Sequence, residues 1–395
     1  MNRREKPQAL SIRLPLADRT LKMFYLSEPR DYPARAATPL NRVAFAAVHV
    51  VADPLADVDP WLAAAIDWDR TIAFREHIWD LGLGVAEAMD TAQRGMGVDW
   101  PISLELIRRS VAAAKARGGL VFSGSGTDHL APGQARGIDD VIRAYEEQIA
   151  AIEAVGGRIV LMASRALGRV ARSADDYAKL YGHILRQVRE PVIIHWLGDM
   201  FDPQLAGYWG SSDLDVAMAN AVTIINDNAG KVDGVKVSLL DKGKEIAMRR
   251  KLKPGIRMYT GDDFNYAELI EGDREGYSDA LLGIFDVIAP AASAALVKLA
   301  ANDRDGFHAI LAPTVPLARH IFRAPTRFYK TGVVFMAYLN GYQDHFTLVG
   351  GQESARSVLH LAELFRLADA AGLLRDPELA LARMRTVMAA RGVEA

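Results

Sequence analysis

Short apolar runs alternate with amphipathic helical patterns over most of the chain, and this alternation constrains the fold more than any other feature. Eight runs rich in β-forming residues are predicted to be strands, at residues 43–50, 83–89, 119–123, 158–163, 191–196, 234–239, 256–259 and 280–285. Strands that alternate with helices form parallel sheets through right-handed crossovers. Eight such units predict a closed (β/α)8 barrel, the TIM-barrel fold of the α/β class.

An open, doubly wound sheet is the alternative architecture. It is disfavoured because no G-x-G-x-x-G motif follows the first predicted strand, where the sequence reads Val51-Ala52-Asp53-Pro54. The barrel is therefore predicted to span residues 41–305, after an N-terminal β-hairpin in residues 1–40. Residues 306–395 are predicted to form a C-terminal helical extension packed on the barrel. Within this extension, the apolar and aromatic segment 329–342 is expected to be a packing helix or a subunit interface.

Charge and composition exclude several functional classes. The 395 residues include 47 Lys and Arg against 49 Asp and Glu, a formal net charge of −2, which gives no general attraction to nucleic acid or to an anionic membrane. The absence of cysteine excludes disulfides, thiolate metal sites and cysteine nucleophiles. The polar N-terminus has no signal-peptide core, and no long apolar stretch predicts a membrane span. We expect a cytoplasmic protein with no nucleic-acid or membrane partner.

Lys236 is the residue that most directly indicates a catalytic function. It interrupts the apolar run 232–239, where a lysine is costly unless it is paired or functional. Active sites of such barrels lie at the carboxyl ends of the strands, and burial there lowers the pKa of an amine. A neutral amine can attack a carbonyl carbon and form a Schiff base. The alternative is that the ammonium group pairs with a nearby acid and is structural.

Other polar residues at predicted strand ends each allow a functional and a structural interpretation. His195 interrupts an apolar strand and is either a proton shuttle or a hydrogen-bonded core residue. Arg165 is either a clamp for an anionic group or a member of an ion pair. Glu87 could pair with Lys236 or orient a substrate hydroxyl. In the pair Asp262-Asp263, one acid is expected to cap the following helix.

Five short motifs lie in order at the predicted strand ends and at the start of the last barrel helix. They are Ser123-Gly124-Ser125-Gly126, Pro191-Val192-Ile193-Ile194-His195-Trp196, Gly234-Val235-Lys236-Val237-Ser238, Tyr259-Thr260-Gly261-Asp262-Asp263 and Val287-Ile288-Ala289-Pro290. Together, over residues 42–310, they resemble the dihydrodipicolinate synthase/N-acetylneuraminate lyase family of Schiff-base (β/α)8 barrels, with this chain on an outlying branch. The resemblance implies that Lys236 forms the imine and that the protein is a homodimer or homotetramer.

Two positions depart from the pattern of that family. The family's proton-relaying tyrosine on strand five falls on His195 in this chain. The family's G-T-T-G-E motif, which binds the carboxylate of the keto acid, falls on Met89-Asp90-Thr91-Ala92-Gln93, where only Thr91 matches. Because Asp90 would repel a carboxylate, a neutral polyhydroxylated ketone or aldehyde suits Asp90 and Glu87 better than pyruvate does.

The leading hypothesis is a class I, imine-forming lyase or aldolase that makes or breaks a carbon–carbon or carbon–oxygen bond. Lys236 would attack the carbonyl of a small oxo acid or polyhydroxylated keto compound, and His195 would move protons. No cofactor or metal is needed, since the imine on Lys236 is the electron sink. The residues expected to position the substrate are Glu87, Asp90, Thr91, Ser125, Arg165, Ser238 and Asp262.

Two alternatives remain open. In the first, His49, Glu87, Asp90 and His195 converge as ligands of a divalent metal, and Lys236 is a general base or an electrostatic clamp. No H-x-H or H-E-x-x-H spacing supports such a site. In the second, the barrel binds a small molecule without turnover.

Overall fold

The N-terminal segment forms the predicted hairpin. In the computed structural model, which describes residues 10–36 and 38–394, β1 (Ser11–Pro15) pairs antiparallel with β2 (Leu21–Tyr25). The Asp18 side chain accepts hydrogen bonds from the backbone N–H and the hydroxyl of Thr20 and so closes the turn.

Eight parallel strands follow and close into a barrel. Each strand hydrogen-bonds to the next along the chain, and the last pairs with the first. These strands are β3 (Ala44–Ala47), β4 (Gly84–Glu87), β5 (Val121–Ser125), β6 (Arg158–Leu161), β7 (Val192–Leu197), β8 (Val232–Ser238), β9 (Arg257–Thr260) and β10 (Asp279–Leu282). The predicted (β/α)8 fold is confirmed, and all eight predicted strands overlap observed ones.

Helices surround the barrel and connect its strands. They are α1 (Trp68–Asp80), α2 (Trp100–Arg117), α3 (Ile138–Ala154), α4 (Arg165–Val170), α5 (Ala174–Gln187), α6 (Leu214–Asp227), α7 (Lys242–Arg249), α8 (Tyr266–Glu271), α9 (Ile284–Val287) and α10 (Ala289–Ala300). Aspartates cap several of them. Asp99, for example, accepts from the backbone N–H of Ile102 at the start of α2, which ends at Gly118 in the left-handed conformation.

Every second side chain along the strands points into the barrel interior and fills it. The interior cluster is Phe45, Ala47, Ala86, Met89, Phe122, Val160, Ile193, Tyr259 and Leu281. On β8 the equivalent position is Gly234, where a Cβ atom would lie 2.6 Å from the Tyr259 ring. The intervening residues face the helices, so both faces of each strand are buried. This alternation decides which side chains can reach a site at the mouth of the barrel.

Five further helices form the C-terminal extension: α11 (Arg304–Leu311), α12 (Val315–Ile321), α13 (Tyr329–Leu339), α14 (Val358–Ala370) and α15 (Pro377–Ala389). The helix α13 packs on α9, next to the carboxyl end of β10, and every one of its residues is buried. The segment 329–342 thus contains a packing helix within the chain rather than an exposed interface. The N-terminal hairpin also packs on this extension, where Phe24 contacts Phe365 edge to face.

The described helices include none that combines the length and apolar character required to traverse a lipid bilayer.

Candidate active site

Lys236 lies near the carboxyl end of β8 and faces the barrel interior. It follows the interior position Gly234 by two residues, so its side chain points inward, as does that of Ser238. Its Cα atom is in register with that of His195 on β7 and with that of Tyr259 on β9. Only 7% of the Lys236 surface is exposed.

Two adjoining cavities occupy the mouth of the barrel. The smaller, of about 20 Å³, has room for about one water molecule. It is lined by Ala47, Met89, Asp90, Thr91, His195, Leu197, Phe201, Lys236, Ser238, Asp263, Gly283, Phe322 and Tyr329. The larger cavity, of about 520 Å³, shares Asp90, His195 and Leu197 with it. A molecule of metabolite size can therefore occupy the larger cavity while one of its atoms approaches Lys236.

Burial and two acids set the charge state of Lys236. Burial lowers the pKa of the Lys236 amine, and the negative charges of Asp263 and Asp90 act in the opposite direction. Burial also raises the pKa of Asp263, whose Oδ1 accepts a hydrogen bond from the Ile284 N–H at 2.8 Å. The Lys236 amine and the Asp263 carboxyl line the same small cavity, where burial favours the neutral form of each group and the charge of each favours the charged form of the other.

His195 is buried beside Lys236, and its Nε2 lies 3.2 Å from the Ser238 hydroxyl oxygen. Its Nδ1 has no hydrogen-bond partner within the described part of the chain. Burial lowers the pKa of His195 well below the usual value, and the Lys236 charge lowers it further. The imidazole is therefore neutral at physiological pH.

The side chains of Thr91 and Tyr329 contact each other in the small cavity that Lys236 also lines. The Thr91 hydroxyl oxygen lies 2.8 Å from the Tyr329 hydroxyl, so the two share a buried hydrogen bond. Burial raises the pKa of Tyr329 well above its usual value, and the charge of Asp90 raises it further. The phenol therefore keeps its proton at neutral pH.

The larger cavity contains two guanidinium groups, and both are paired. Arg165 donates to Asp202, and Arg94 donates to Asp128 and to the backbone oxygen of Gly124. Arg165 is thus in an ion pair while it also lines the cavity, so the two interpretations of this residue are compatible.

Glu87 does not contact Lys236, which corrects one of the two contacts expected for it. It follows the interior residue Ala86 and therefore points outward, where Arg75 on α1 donates two hydrogen bonds of 2.9 Å to its carboxylate. The Ser110 hydroxyl also donates to it. Glu87 lines neither cavity.

Ser125 and Asp262 also point away from the cavities, for the same reason. Ser125 lies an odd number of positions from the interior Phe122, and its hydroxyl is buried against the helical layer. Asp262 accepts hydrogen bonds from the backbone N–H groups of Phe264 and Asn265, in the turn before α8. The N-cap residue of α8 is Asn265, and no side chain caps this helix, so the cap expected from one acid of this pair is not formed. Neither residue lines the cavity at Lys236.

The four residues considered as metal ligands do not converge. The His49 Nδ1 lies 2.7 Å from Asp286 Oδ2, its ring packs on Phe74, and Glu87 is held by Arg75. Only Asp90 and His195 share a cavity. Within residues 10–36 and 38–394, no group of three or more His, Asp or Glu side chains is placed to hold a metal ion.

Two polar residues of the small cavity, Asp263 and Tyr329, are not among the predicted site residues. Asp263 could have been chosen over Asp262, because it follows the interior positions Tyr259 and Gly261 at a spacing of two. Tyr329 belongs to the C-terminal extension, and nothing in the residues around it signals a contact with Lys236.

Comparisons with known proteins agree with this fold. A family model described as "Protein of unknown function (DUF993)" matches residues 12–393. No curated protein matches the chain.

Several solved structures are similar to it. The prophage protein YagE of E. coli K12, a member of the dihydrodipicolinic acid synthase family solved with pyruvate, is 14% identical with a TM-score of 0.65, and the match covers 85% of this chain and 99% of that one. The dihydrodipicolinate synthase of Aquifex aeolicus is 13% identical with a TM-score of 0.62, and the match covers 85% of this chain and 100% of that one. The enzyme of Acinetobacter baumannii, solved with pyruvate, is 14% identical with a TM-score of 0.61, over 84% of this chain and 99% of that one. At these identities the likeness shows the fold alone.

Proposed function

We propose that this chain, which belongs to the DUF993 family of proteins of unknown function, is a Schiff-base-forming lyase or aldolase that acts through Lys236. The observation that carries the proposal is a buried lysine, with a lowered pKa, at the mouth of a dihydrodipicolinate synthase-like barrel beside a cavity large enough for a metabolite. A lysine in such a position is costly to stability, and ionisable groups with strongly shifted pKa values cluster at functional sites.

The reaction begins with attack of the neutral Nζ of Lys236 on the substrate carbonyl. A carbon–nitrogen bond forms, the carbonyl oxygen is protonated and leaves as water, and a protonated imine remains. This cation draws electrons from the neighbouring carbon–carbon or carbon–oxygen bond and so lowers the barrier to its cleavage or formation. Asp263 and His195 line the same small cavity as Lys236 and exchange protons with the substrate.

The charges of the site favour a neutral, hydroxylated carbonyl compound over a small oxo acid. Asp90 borders both cavities, and its charge opposes a substrate carboxylate. The guanidinium groups of Arg94 and Arg165 are already paired with Asp128 and Asp202. A ketone bearing hydroxyl groups can instead donate hydrogen bonds to Asp90 and to the other acids of the larger cavity.

Reductive trapping tests this function. The full chain is incubated with sodium borohydride and, in separate samples, pyruvate, dihydroxyacetone and fructose, and the intact mass is measured. We expect a covalent adduct, with a larger yield from the hydroxylated ketones than from pyruvate, and peptide mapping should place it on Lys236.

Lys330 provides the matched control, because it is a second buried lysine whose pKa is lowered by burial. Lys236→Met should abolish the adduct, whereas Lys330→Met should retain it. A folded protein that gives no adduct with any of the three carbonyl compounds, or an adduct that maps to Lys330, contradicts the proposal. Ligand-induced thermal stabilisation without an adduct would instead identify a binding protein.

A cytoplasmic homodimer or homotetramer is part of this proposal, and light scattering of the purified chain tests its oligomeric state.

A further inference from the structure

The C-terminal extension forms part of the wall around Lys236. Phe322 and Tyr329 come from this extension, and their rings stack with centroids 4.4 Å apart and planes inclined by 16°. Phe201, from the segment between β7 and α6, meets Tyr329 edge to face at 6.4 Å. All three rings line the small cavity.

The backbone of the barrel is shaped to admit this wall. Gly283 follows β10, and a Cβ atom there would lie 3.0 Å from Phe322, 3.4 Å from the Tyr329 ring and 3.4 Å from the Thr91 hydroxyl oxygen. A side chain at this position would push the extension away from Lys236. Glycine therefore lets Tyr329 approach the barrel closely enough to bond with Thr91 at 2.8 Å.

Because the cavity is small, a substrate atom bound next to Lys236 also lies close to the Tyr329 hydroxyl. Lys236 and Tyr329 line the same space, which holds about one water molecule. When a carbonyl carbon is attached to Nζ, its oxygen must occupy this space or displace one of the walls. The oxygen is then in contact with the hydroxyl pair of Thr91 and Tyr329. His195 is less suited to serve this oxygen, because its Nε2 is engaged by Ser238.

We propose that Tyr329, supplied by the C-terminal extension, is a catalytic residue that transfers protons to and from the oxygen atom that is lost when Lys236 forms its imine. The inference rests on the proposed function, because it concerns the same imine. It also assigns a role to the extension, which then completes the active site as well as packing on the barrel.

Attack by the neutral amine forms the carbon–nitrogen bond, and one proton passes from nitrogen to the carbonyl oxygen through the Tyr329 hydroxyl, giving a neutral carbinolamine. The nitrogen lone pair then expels the hydroxyl group, which takes the phenolic proton of Tyr329 and leaves as water. The phenolate regains a proton from the carboxylic acid of Asp263. The products are a protonated imine, water and the Asp263 carboxylate, so the net charge is unchanged.

The primary test compares Tyr329→Phe with Tyr338→Phe. Tyr338 is a second buried tyrosine on α13, and its ring packs on Arg383 outside the cavity. With dihydroxyacetone as the probe, the trapping rate is measured at saturating borohydride. Tyr329→Phe should slow trapping about 100-fold, with the half-saturating concentration of dihydroxyacetone and the final yield unchanged. Tyr338→Phe should trap at the wild-type rate.

Thr91 variants provide a second test that does not depend on the folding of Tyr329→Phe. Thr91→Val should slow trapping, and Thr91→Ser, which keeps the hydroxyl, should restore it. The double variant Thr91→Val/Tyr329→Phe should be no slower than Tyr329→Phe alone, because the two groups act in one relay. Wild-type trapping rates in folded Tyr329→Phe, or in Thr91→Val, overturn the inference and leave the proposed function intact. Failure of the wild-type chain to form any adduct overturns the proposed function itself.

Discussion

His195 and Lys236 occupy directly paired positions on β7 and β8, and both side chains face the interior of the barrel. The positive charge of Lys236 disfavours a second positive charge on His195. Burial lowers both pKa values, and the Lys236 charge lowers that of His195 further. Because β7 and β8 fix the two residues side by side, the site contains at most one cation from this pair at neutral pH. The acids Asp90 and Asp263 decide whether Lys236 carries it.

Replacing Asp90 with asparagine should shift the pH dependence of imine trapping to lower pH. The negative charge of Asp90 raises the pKa of Lys236, so its removal lets the amine lose its proton at a lower pH. The trapping rate with dihydroxyacetone rises with pH as the amine becomes neutral, and the midpoint of that rise is the quantity measured. Asp59→Asn, in the loop between β3 and α1, is the control and should leave the midpoint in place. A midpoint that is unchanged or higher in Asp90→Asn would show that Asp90 does not act on Lys236.

Gly261→Ala should disrupt the site while Gly230→Ala should not. A Cβ atom at Gly261 would lie 2.3 Å from the Ser238 hydroxyl oxygen, 2.7 Å from the Val237 carbonyl oxygen and 2.9 Å from the Lys236 Cε. Such overpacking costs about 1–3 kcal/mol and displaces the lysine side chain. At Gly230 an added Cβ meets no atom within 4 Å. Thermal unfolding measures the loss of stability, and the trapping yield with dihydroxyacetone measures the displacement of Lys236. If both variants had the same melting temperature and the same yield, close packing at Gly261 would not be needed for the site.

The order of strands and the position of Lys236 could be predicted from the sequence because both depend on local patterns. Apolar runs of about 4–8 residues separated by helical periods specify the barrel without knowledge of tertiary contacts. The same local reasoning places Lys236, His195 and Ser238 on the interior face, since they follow Gly234 and Ile193 at a spacing of two. Each of these three side chains lines the small cavity.

The expectations that the structure corrects concern the direction in which side chains point. Glu87, Ser125 and Asp262 lie near strand ends, as site residues should, but each is out of phase with the interior positions of its strand. A consistent two-residue period would have excluded Glu87 in favour of a structural pair, and would have chosen Asp263 over Asp262.

Other features of the site were not accessible from local patterns. After β4, the positive φ of 52° at Ala88 breaks the alternation, so the inward position of Thr91 could not be counted from Ala86. The contact between Thr91 and Tyr329 joins residues 238 positions apart in the sequence. Such a contact depends on how the extension folds back on the barrel, which no period within either segment encodes.

Glu87→Ala should destabilise the protein strongly, because it leaves a buried guanidinium without its partner. The side chains of Arg75 and Glu87 are both fully buried, and two hydrogen bonds of 2.9 Å join them. Removing one member of such a pair costs about 3–5 kcal/mol. Chemical denaturation measures the change in the free energy of unfolding. Glu105→Ala is the matched control, because Glu105 pairs with the exposed residues Arg108 and Arg109 on α2, and a change of less than about 1 kcal/mol is expected there.

Glu245 should make the protein less stable as the pH rises from about 5 to 8. This residue of α7 is buried, and the hydroxyl groups of Thr260 and Ser278 donate to its carboxyl at 3.0 and 2.7 Å. Burial nevertheless raises its pKa to about 8, from an ordinary value of 4.5. Between these two values the folded chain holds a proton that the unfolded chain releases. The resulting stabilisation is complete below the unfolded pKa and is lost as the pH rises through the folded one.

Glu245→Gln isolates this contribution, because the amide is neutral throughout the range. Linkage limits the effect of the carboxyl to about 1.4 kcal/mol per pH unit. We expect the free energy of unfolding of the variant, measured by urea denaturation at pH 5, 6.5 and 8, to fall less steeply with pH than that of the wild-type chain. Glu268→Gln, which alters an exposed acid paired with Lys242, should give a profile parallel to the wild type. If Glu245→Gln is also parallel, Glu245 is already ionised in the folded protein, and the buried acid is then stabilised as a carboxylate by Thr260 and Ser278.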